Sequence, residues 1–259
     1  MDARSSARAR PRGGGRRSVT KSASSVFRAW FDLARAGNFP SVASNVLAAH
    51  VLSDVGGAPS DRVGSIGVAI VAGLLTYAGG ATLNDVMDTA HDAEHRPERS
   101  IPSGRIARGT ALGIALIELV AGLTLFVMAG ASVAAALGLG AAIVIYDSFH
   151  KGWTGSVFVI AGCRVLLALI VATLPGHAAT ASWAVWVVAL FLYIASLSLL
   201  ARRETTGGEA VRRVVGRLLS GIPLVDAAAL LVVGHWGTAA VCAAAVAAGT
   251  AARRVAAST

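Results

Sequence analysis

The composition of this 259-residue chain excludes an ordinary soluble domain, because 55% of its residues are hydrophobic and only 14% are charged, whereas soluble domains carry roughly 25% charged residues. The formal net charge of +9 is placed unevenly, since residues 1–36 contain nine Lys or Arg and two Asp. The basic run at 4–21 has no interleaved aromatic side chains, so nucleic-acid binding is not expected.

Residues 1–36 predict a basic, disordered cytoplasmic tail. Segment 4–25 is rich in Gly, Ser and Arg, a composition that buries too little apolar surface to fold. A basic tail beside a membrane span is attracted to anionic lipid headgroups. The remainder, 37–259, shows no internal repeat, and we expect it to form one membrane domain.

Eight apolar stretches follow, and most approach the ~20 residues that cross ~30 Å of hydrocarbon. Helices satisfy their own backbone in lipid, so we expect an all-α, polytopic transmembrane bundle of eight or nine helices. With the N-terminus in the cytoplasm, all of the 23 Lys and Arg except Arg62 and Arg164 fall in or beside cytoplasmic segments, as the positive-inside rule requires. This predicts an integral protein of the cytoplasmic membrane. The stretches are 39–53, 64–83, 106–129, 131–146, 155–175, 182–201, 217–234 and 236–252.

A cluster of polar side chains continues the second stretch: Asn84, Asp85, Asp88 and Asp92. On a helix the three Asp residues fall on one face. Their charges repel one another unless cations lie between them, and Mg²⁺ prefers such oxygen ligands and is often shared with substrate phosphates. Four arginines that suit phosphate follow: Arg96, Arg99, Arg105 and Arg108. A mixed-charge cytoplasmic loop is the alternative, and it accounts for the arginines but not for the one-faced acids.

The pattern Asn84-Asp85-x-x-Asp88-x-x-x-Asp92, followed by Arg96-Pro97-x-Arg99 and Pro102-Ser103-Gly104, resembles the first aspartate-rich motif of the UbiA superfamily of intramembrane prenyltransferases. Arg35-x-x-Asn38-x-Pro40 also resembles the start of that family's first helix. The resemblance covers roughly residues 35–252. It implies a helical bundle, usually of nine transmembrane helices, around a central cavity that opens toward the cytoplasm.

The resemblance also implies a chemistry. Family members use Mg²⁺ to bind an isoprenyl diphosphate and transfer the prenyl group to an aromatic or other lipophilic acceptor, and relatives cyclise the isoprenyl chain instead. Asn84, Asp85 and Asp88 would hold Mg²⁺ against the diphosphate, with Asp92 as a further ligand or a support. Metal and arginines would stabilise the departing diphosphate, and aromatic faces the allylic cation.

The predicted site residues fall in three groups. The predicted catalytic residues are Asp85, Asp88 and Lys151. The predicted substrate-binding residues carry basic or amide side chains: Arg35, Asn38, Arg96, Arg99, Arg202, Arg203 and Arg212. The predicted metal ligands are Asn84, Asp85, Asp88, Asp92, Glu204 and Glu209.

The second acidic motif is altered. The family has a DxxxD-type pair, whereas the corresponding loop here has Glu204 and Glu209, five residues apart. On a regular helix they would lie about 140° apart, unless Gly207 and Gly208 break the helix. The alternative is an interfacial loop with incidental acids, in which case a second Mg²⁺ site is lost or altered. The short chain and weakened motif are similar to the EboC-like group of the superfamily.

The loop 146–153 is a further polar cluster between spans. Lys151 suits phosphate, and Asp147 or His150 would assist an acceptor proton, because histidine titrates near neutrality. As an alternative, Lys151 and Trp153 are ordinary interfacial anchors.

Three charged residues fall inside the spans: Glu118, Arg164 and Asp226. Such residues need a partner in the membrane. We expect Arg164 to pair with Glu118 or Asp226, and the alternative is that Arg164 lines the cavity and meets an acid group of the acceptor or the diphosphate.

These observations together predict a Mg²⁺-dependent membrane prenyltransferase that uses an isoprenyl diphosphate and a lipophilic acceptor. Two alternatives remain: a UbiA-type membrane terpene cyclase, and a non-enzymatic membrane transporter or lipid-binding subunit.

Overall fold

The computed structural model describes residues 23–56, 59–150, 153–202 and 204–257, and this described part consists of helices and their connections. A one-turn 3₁₀ helix, Ala36–Asn38, joins the first two α-helices. The α-helices are α1 (Ala23–Leu33), α2 (Phe39–Ser53), α3 (Pro59–Met87), α4 (Thr89–His95), α5 (Arg108–Met128), α6 (Val133–Phe149), α7 (Ser156–Ala172), α8 (Ala181–Ala201), α9 (Glu204–Val232) and α10 (Trp236–Ala257).

Each of the eight predicted apolar stretches is a helix, so the all-α membrane architecture is confirmed. Within the described residues, four helical segments are long and apolar enough to cross a bilayer: Gly64–Met87, Arg108–Met128, Ala181–Ala201 and Arg213–Val232. Three apolar helices are shorter: Val133–Phe149, Ser156–Ala172 and Trp236–Ala252. How many helices cross the bilayer stays a prediction.

Helix α2 lies at the centre of the bundle. It contacts α3, α7, α8, α9 and α10, and ten of its fifteen residues are buried. A helix enclosed on all sides shows no amphipathic stripe, which explains why 39–53 is the weakest apolar stretch in the sequence: its buried polar residues Ser41, Ser44 and Asn45 lower its hydropathy. These polar groups are inside the protein rather than in contact with lipid.

Helices α3 and α5 pack against each other along much of their length, and glycine permits their close approach. A methyl group added at Gly122 would lie 2.6 Å from the backbone nitrogen of Thr76 on α3. One added at Gly79 would lie 2.6 Å from the backbone nitrogen of Leu119 on α5. Small residues at such crossings bring helix backbones together in membrane bundles, and this crossing fixes the helix that carries the first motif.

Helix α1 corrects the prediction of a disordered tail for residues 23–36. Residues 1–22 lie outside the described part of the chain, but Ala23–Leu33 is an α-helix. Ala29 and Leu33 are buried in a small core with Val86 and Ile106, while Arg28 and Asp32 form an i, i+4 ion pair on the helix surface. The prediction of disorder rested on the composition and net charge of the tail as a whole and overlooked this local amphipathic pattern. Packing of the apolar face stabilises the helix.

Candidate active site

A cavity of about 260 Å³ lies between helices α3, α6, α7, α8 and α9, with Arg35 and Asn38 from the segment before α2 also in its wall. Its polar wall is at the motif end of the bundle, where α3 and α6 finish, and includes Arg35, Asn84 and Asp147. The same cavity reaches Gly73 on α3, which at 1.5 Å per residue lies about 16 Å along the helix from Asn84. The inner wall is mostly apolar, so the cavity joins a charged rim to a hydrophobic interior.

Two acids of the first motif are bridged by one arginine. Arg99 donates from Nη1 to Asp85 Oδ1 at 3.2 Å and to Asp92 Oδ2 at 2.9 Å. Asp85 also accepts a hydrogen bond from Arg35 Nη2 at 3.0 Å. The repulsion expected between Asp85 and Asp92 is thus relieved by guanidinium groups, and both arginines were predicted from sequence as substrate-binding residues.

The third acid, Asp88, faces a different helix. Its Oδ2 lies 3.3 Å from Nε2 of His150, at the C-terminal end of α6, and His150 stacks on Tyr146 with ring centroids 5.1 Å apart. The hydrogen bond with Asp88 raises the pKa of His150 above its ordinary value. An imidazole held in this way favours its protonated form, which suits an ion pair better than the proton-accepting role considered from sequence.

Asn84, near the end of α3, connects α3 to α6 beside these acids. Its Oδ1 accepts a hydrogen bond from Arg35 Nη2 at 2.8 Å, and its Nδ2 donates to Asp147 Oδ1 at 3.1 Å. Arg35 reaches this position from the junction of α1 and α2, where its backbone has φ 48°, an uncommon conformation for a residue other than glycine. Sequence reasoning identified Arg35 and Asn84 separately but gave no indication that they touch.

The predicted ion pair between Arg164 and Asp226 is wrong, because a side-chain amide separates them. Arg164 Nη1 donates to Asn45 Oδ1 at 2.7 Å, and Asn45 Nδ2 donates to both Asp226 oxygens at 2.9 and 2.8 Å. Asp226 is fully buried and also accepts from Ser44 Oγ at 2.6 Å and Trp186 Nε1 at 3.0 Å. These donors satisfy the carboxylate without a cation in direct contact.

Glu118 does not pair with Arg164 either. Its Oε2 is buried without a hydrogen-bond partner in the described part of the chain. Arg164 is therefore not the partner that we expected for Glu118.

Arg164 instead lines the cavity, as the alternative interpretation expected. Its guanidinium lies 5.2 Å from the centre of the Tyr77 ring, within cation–π range. Tyr77 accepts a hydrogen bond from Asn38 Nδ2 at 2.9 Å, so Asn38 positions an aromatic wall of the cavity. Tyr77 lies seven residues before Asn84, about 10 Å deeper along α3.

Two other predicted binding residues are not among those that line the cavity. Arg96 is exposed at the end of α4, and Arg202 donates to the carbonyl oxygens of Trp153 and His150 in the loop between α6 and α7. Several predicted residues fall outside the description: Lys151, Arg203 and the side chains of Glu204, Glu209 and Arg212.

The backbone at the second acidic segment is continuous helix. Helix α9 begins at Glu204 and runs through to Val232, so the two glycines at 207 and 208 do not interrupt it. The predicted route by which a break would bring the two glutamates together is therefore absent from this backbone.

The donor chemistry of the rim suits Mg²⁺. Amide and carboxylate oxygens are its preferred protein ligands, and Asn84, Asp88 and Asp147 supply them from two facing helices. Across the described residues, no group of three His, Cys, Asp or Glu is already arranged as a metal site. One buried carboxylate oxygen, Asp147 Oδ2, nevertheless has no hydrogen-bond partner there, so the residues present fit a divalent cation.

The site thus places charged and amide groups at one end of a mostly apolar cavity. The sequence model of the UbiA prenyltransferase family matches residues 39–258, and the chain belongs to this family. It is 34% identical over 163 residues to a digeranylgeranylglyceryl phosphate synthase of Ignicoccus hospitalis, covering 62% of this chain and 50% of the relative. It is 38% identical over 89 residues to the synthase of that name from Methanopyrus kandleri, covering 34% of this chain and 31% of the relative.

The chain thus spans half or less of the length of these curated relatives. A solved structure described as giving structural and mechanistic insights into digeranylgeranylglyceryl phosphate synthase in membranes has a similar fold. The TM-score is 0.53 at 16% identity, and the match covers 89% of this chain and 96% of the other. It supports the all-helical membrane fold and nothing finer.

Proposed function

We propose that the protein transfers a prenyl group from an isoprenyl diphosphate, bound with Mg²⁺ at the motif end, to a lipophilic acceptor in the cavity. One observation carries this proposal: the cavity joins the rim of Arg35 and Asn84 to an apolar interior that extends about 16 Å along α3. An isoprenyl diphosphate has the same division, with a charged head and a hydrocarbon tail.

The arginines of the rim would bind the head group by exchanging their carboxylate partners for diphosphate oxygens. Arg35 and Arg99 now donate to Asp85 and Asp92, and the same N–H groups suit diphosphate oxygens. Asn84, Asp85 and Asp88 would hold Mg²⁺, with Asp92 in support. When bound, the cation would stabilise charge that develops on the departing diphosphate.

The cavity wall would control the reactive carbon. As the C–O bond to the diphosphate breaks, an allylic cation forms, and aromatic ring faces stabilise such cations. Tyr77 and Tyr146 both line the cavity. The apolar lining, including Leu139 and Leu167, would exclude the water that otherwise captures the cation.

Arg164 supports an acceptor that carries an acid group. It is a cation inside the bundle beside Tyr77, which lies about 10 Å deeper along α3 than Asn84, and its contact with Asn45 leaves it without a directly bound carboxylate in the described residues. A carboxylate or phosphate on the acceptor would provide that counter-charge. The relatives are named for a phosphate-bearing lipid, which agrees with such an acceptor without identifying it.

The orientation follows from charge. We place the N-terminus and the motif end in the cytoplasm, because the Lys and Arg residues of 1–36, 84–105 and 202–216 then lie on one side. The basic residues of 1–22 would lie against anionic headgroups.

The test is binding of a geranylgeranyl diphosphate analogue to the purified protein, with and without Mg²⁺. We expect Mg²⁺-dependent binding by the wild type that Asp88→Ala abolishes. Glu98→Ala is the matched control, since Glu98 is an exposed acid of the following loop and its removal should leave binding intact. Binding that is absent, or indifferent to Mg²⁺, in folded protein offered several chain lengths would contradict the proposal and favour a transporter or lipid-binding subunit.

Products then separate the two enzymatic alternatives. Incubation with the diphosphate alone should give no cyclic hydrocarbon, and mass spectrometry with added acceptors should detect prenylated product. A cyclic hydrocarbon formed without acceptor would identify a terpene cyclase.

A further inference from the structure

Asp147 is the one acid of the rim that makes no ion pair with a basic side chain among the described residues. Arg35 and Arg99 neutralise Asp85, Arg99 also neutralises Asp92, and His150 pairs with Asp88. Asp147 is only 6% exposed, its Oδ1 accepts one hydrogen bond from Asn84, and its Oδ2 is buried without a partner.

An unpartnered carboxylate oxygen in this position is costly. Burying an ionised carboxylate is strongly unfavourable unless a cation or several donors accompany it. Asp147 lines the cavity, so its carboxyl group lies beside space that a ligand can occupy. The carboxyl group therefore suits a positively charged or hydrogen-bond-donating occupant of the cavity.

The helix register places the Asp147 carboxyl group beside the first motif. Asp88 directly follows α3, one turn after Asn84, and His150 directly follows α6, about one turn after Asp147. The two helices meet in matched pairs, Asn84 with Asp147 and Asp88 with His150. A cation between the helices would thus meet oxygen atoms from both.

We propose that Asp147 is a ligand of the divalent cation that binds with the diphosphate, so that α6 contributes a carboxylate to the metal site alongside Asn84 and Asp88. The inference rests on the proposed function, because the cation is the one that would accompany the substrate. Oxygen-only ligands of this kind select Mg²⁺ or Mn²⁺.

This assignment provides a metal-binding carboxylate in place of the altered second motif. Helix α9 runs without a break from Glu204, and the spacing of Glu204 and Glu209 differs from a DxxxD pair. A carboxylate from α6 supplies metal-binding charge from a different element on the same rim.

The test measures Mn²⁺ binding to the full chain in detergent or nanodiscs, with inorganic pyrophosphate present, by electron paramagnetic resonance of the free ion. Asp147→Asn keeps the shape of the side chain and its contact with Asn84 but removes the charge. We expect it to weaken Mn²⁺ binding by about tenfold or more, as loss of metal-site groups commonly does. Glu94→Gln, which removes an exposed charge from α4, should bind Mn²⁺ like the wild type.

A second variant identifies direct ligation. In a Cys163→Ser background, Asp147→Cys should gain affinity for Cd²⁺ and lose affinity for Mn²⁺, because thiolate ligands favour soft metals. Equal Mn²⁺ affinity in Asp147→Asn and wild type, or no gain of Cd²⁺ affinity in a folded Asp147→Cys protein, would overturn the proposal.

The outcomes distinguish this inference from the proposed function. If the protein transfers a prenyl group and Asp147→Asn binds Mn²⁺ like the wild type, the proposed function stands and the ligand assignment fails. If Mn²⁺ binding depends on Asp147 but the protein transfers no prenyl group, the ligand assignment stands and the proposed function fails. A wild type that binds no Mn²⁺ with pyrophosphate would overturn both.

Discussion

The crossing of α3 and α5 allows a strong test of how the first motif is held. Replacing Gly122 by Ala adds a methyl group 2.6 Å from the Thr76 nitrogen and 2.7 Å from the Ala72 oxygen, both in the α3 backbone. Ordinary contacts need 3.5–4.0 Å, so the helices must separate by roughly 1 Å. Because backbone atoms cannot rotate away as a side chain can, α3 itself has to move.

The expected cost follows from that geometry. Overpacking a well-packed interior costs about 1–3 kcal/mol, and a shift of about 1 Å in positioning can lower a rate about 100-fold. We therefore expect Gly122→Ala to lower the thermal midpoint by several degrees and to reduce prenyl transfer more than its stability loss explains, since Asn84 and Asp85 move with α3.

Gly113 on the same helix provides the matched control. A methyl group there meets nothing within 4 Å, and Gly→Ala in a helix interior gains about 0.5–1 kcal/mol of helix propensity. The stabilities of the two variants are compared by thermal unfolding in detergent, with the loss of folded protein measured by size-exclusion chromatography. If Gly122→Ala were as stable and as active as Gly113→Ala, the close approach of α3 and α5 would not position the site.

Three further predictions concern side chains of the site. Arg99→Gln should weaken pyrophosphate binding by about tenfold or more, as loss of charge-assisted hydrogen bonds does, whereas Arg96→Gln should change it little; equal effects on calorimetric affinity would argue against the Arg99 bridge. Asp226→Leu should lower the free energy of unfolding by about 3–5 kcal/mol because three buried donors lose their acceptor, and an unchanged thermal midpoint would contradict this. Arg164→Gln should raise the KM for an acidic acceptor about tenfold without changing prenyl diphosphate affinity, and an unchanged KM would remove Arg164 from acceptor recognition.

The helices and the first motif could be predicted from sequence because each depends on local pattern. Apolar runs bounded by charge indicate membrane helices, and the spacing of Asp85, Asp88 and Asp92 is visible in the chain itself. Gly104 is another local feature, since it has φ 71° in the turn before α5, a conformation that favours glycine.

What could not be predicted is which distant side chains meet. Asn45 gives no signal as an isolated polar residue in a weak apolar stretch, yet it joins Arg164 to Asp226. The bridge made by Arg99 and the unpartnered oxygen of Asp147 likewise depend on helix rotation and register. Charge pairing from sequence predicted a direct contact for Arg164 because it considers opposite charges and overlooks neutral amides between them.

The amide bridge at Asn45 also bears on the order in which the chain assembles. Ser44 and Asn45 lie in α2, but the carboxylate that satisfies them is about 180 residues later, at Asp226. The translating ribosome therefore releases the central helix long before its acceptor exists. We expect α2 to settle only when α9 arrives, so a chain truncated after Ala201 should leave a cysteine introduced at Ser44 open to water-soluble thiol reagents that the full chain excludes. Protection of that cysteine in the truncated chain would show that α2 docks without its late partner.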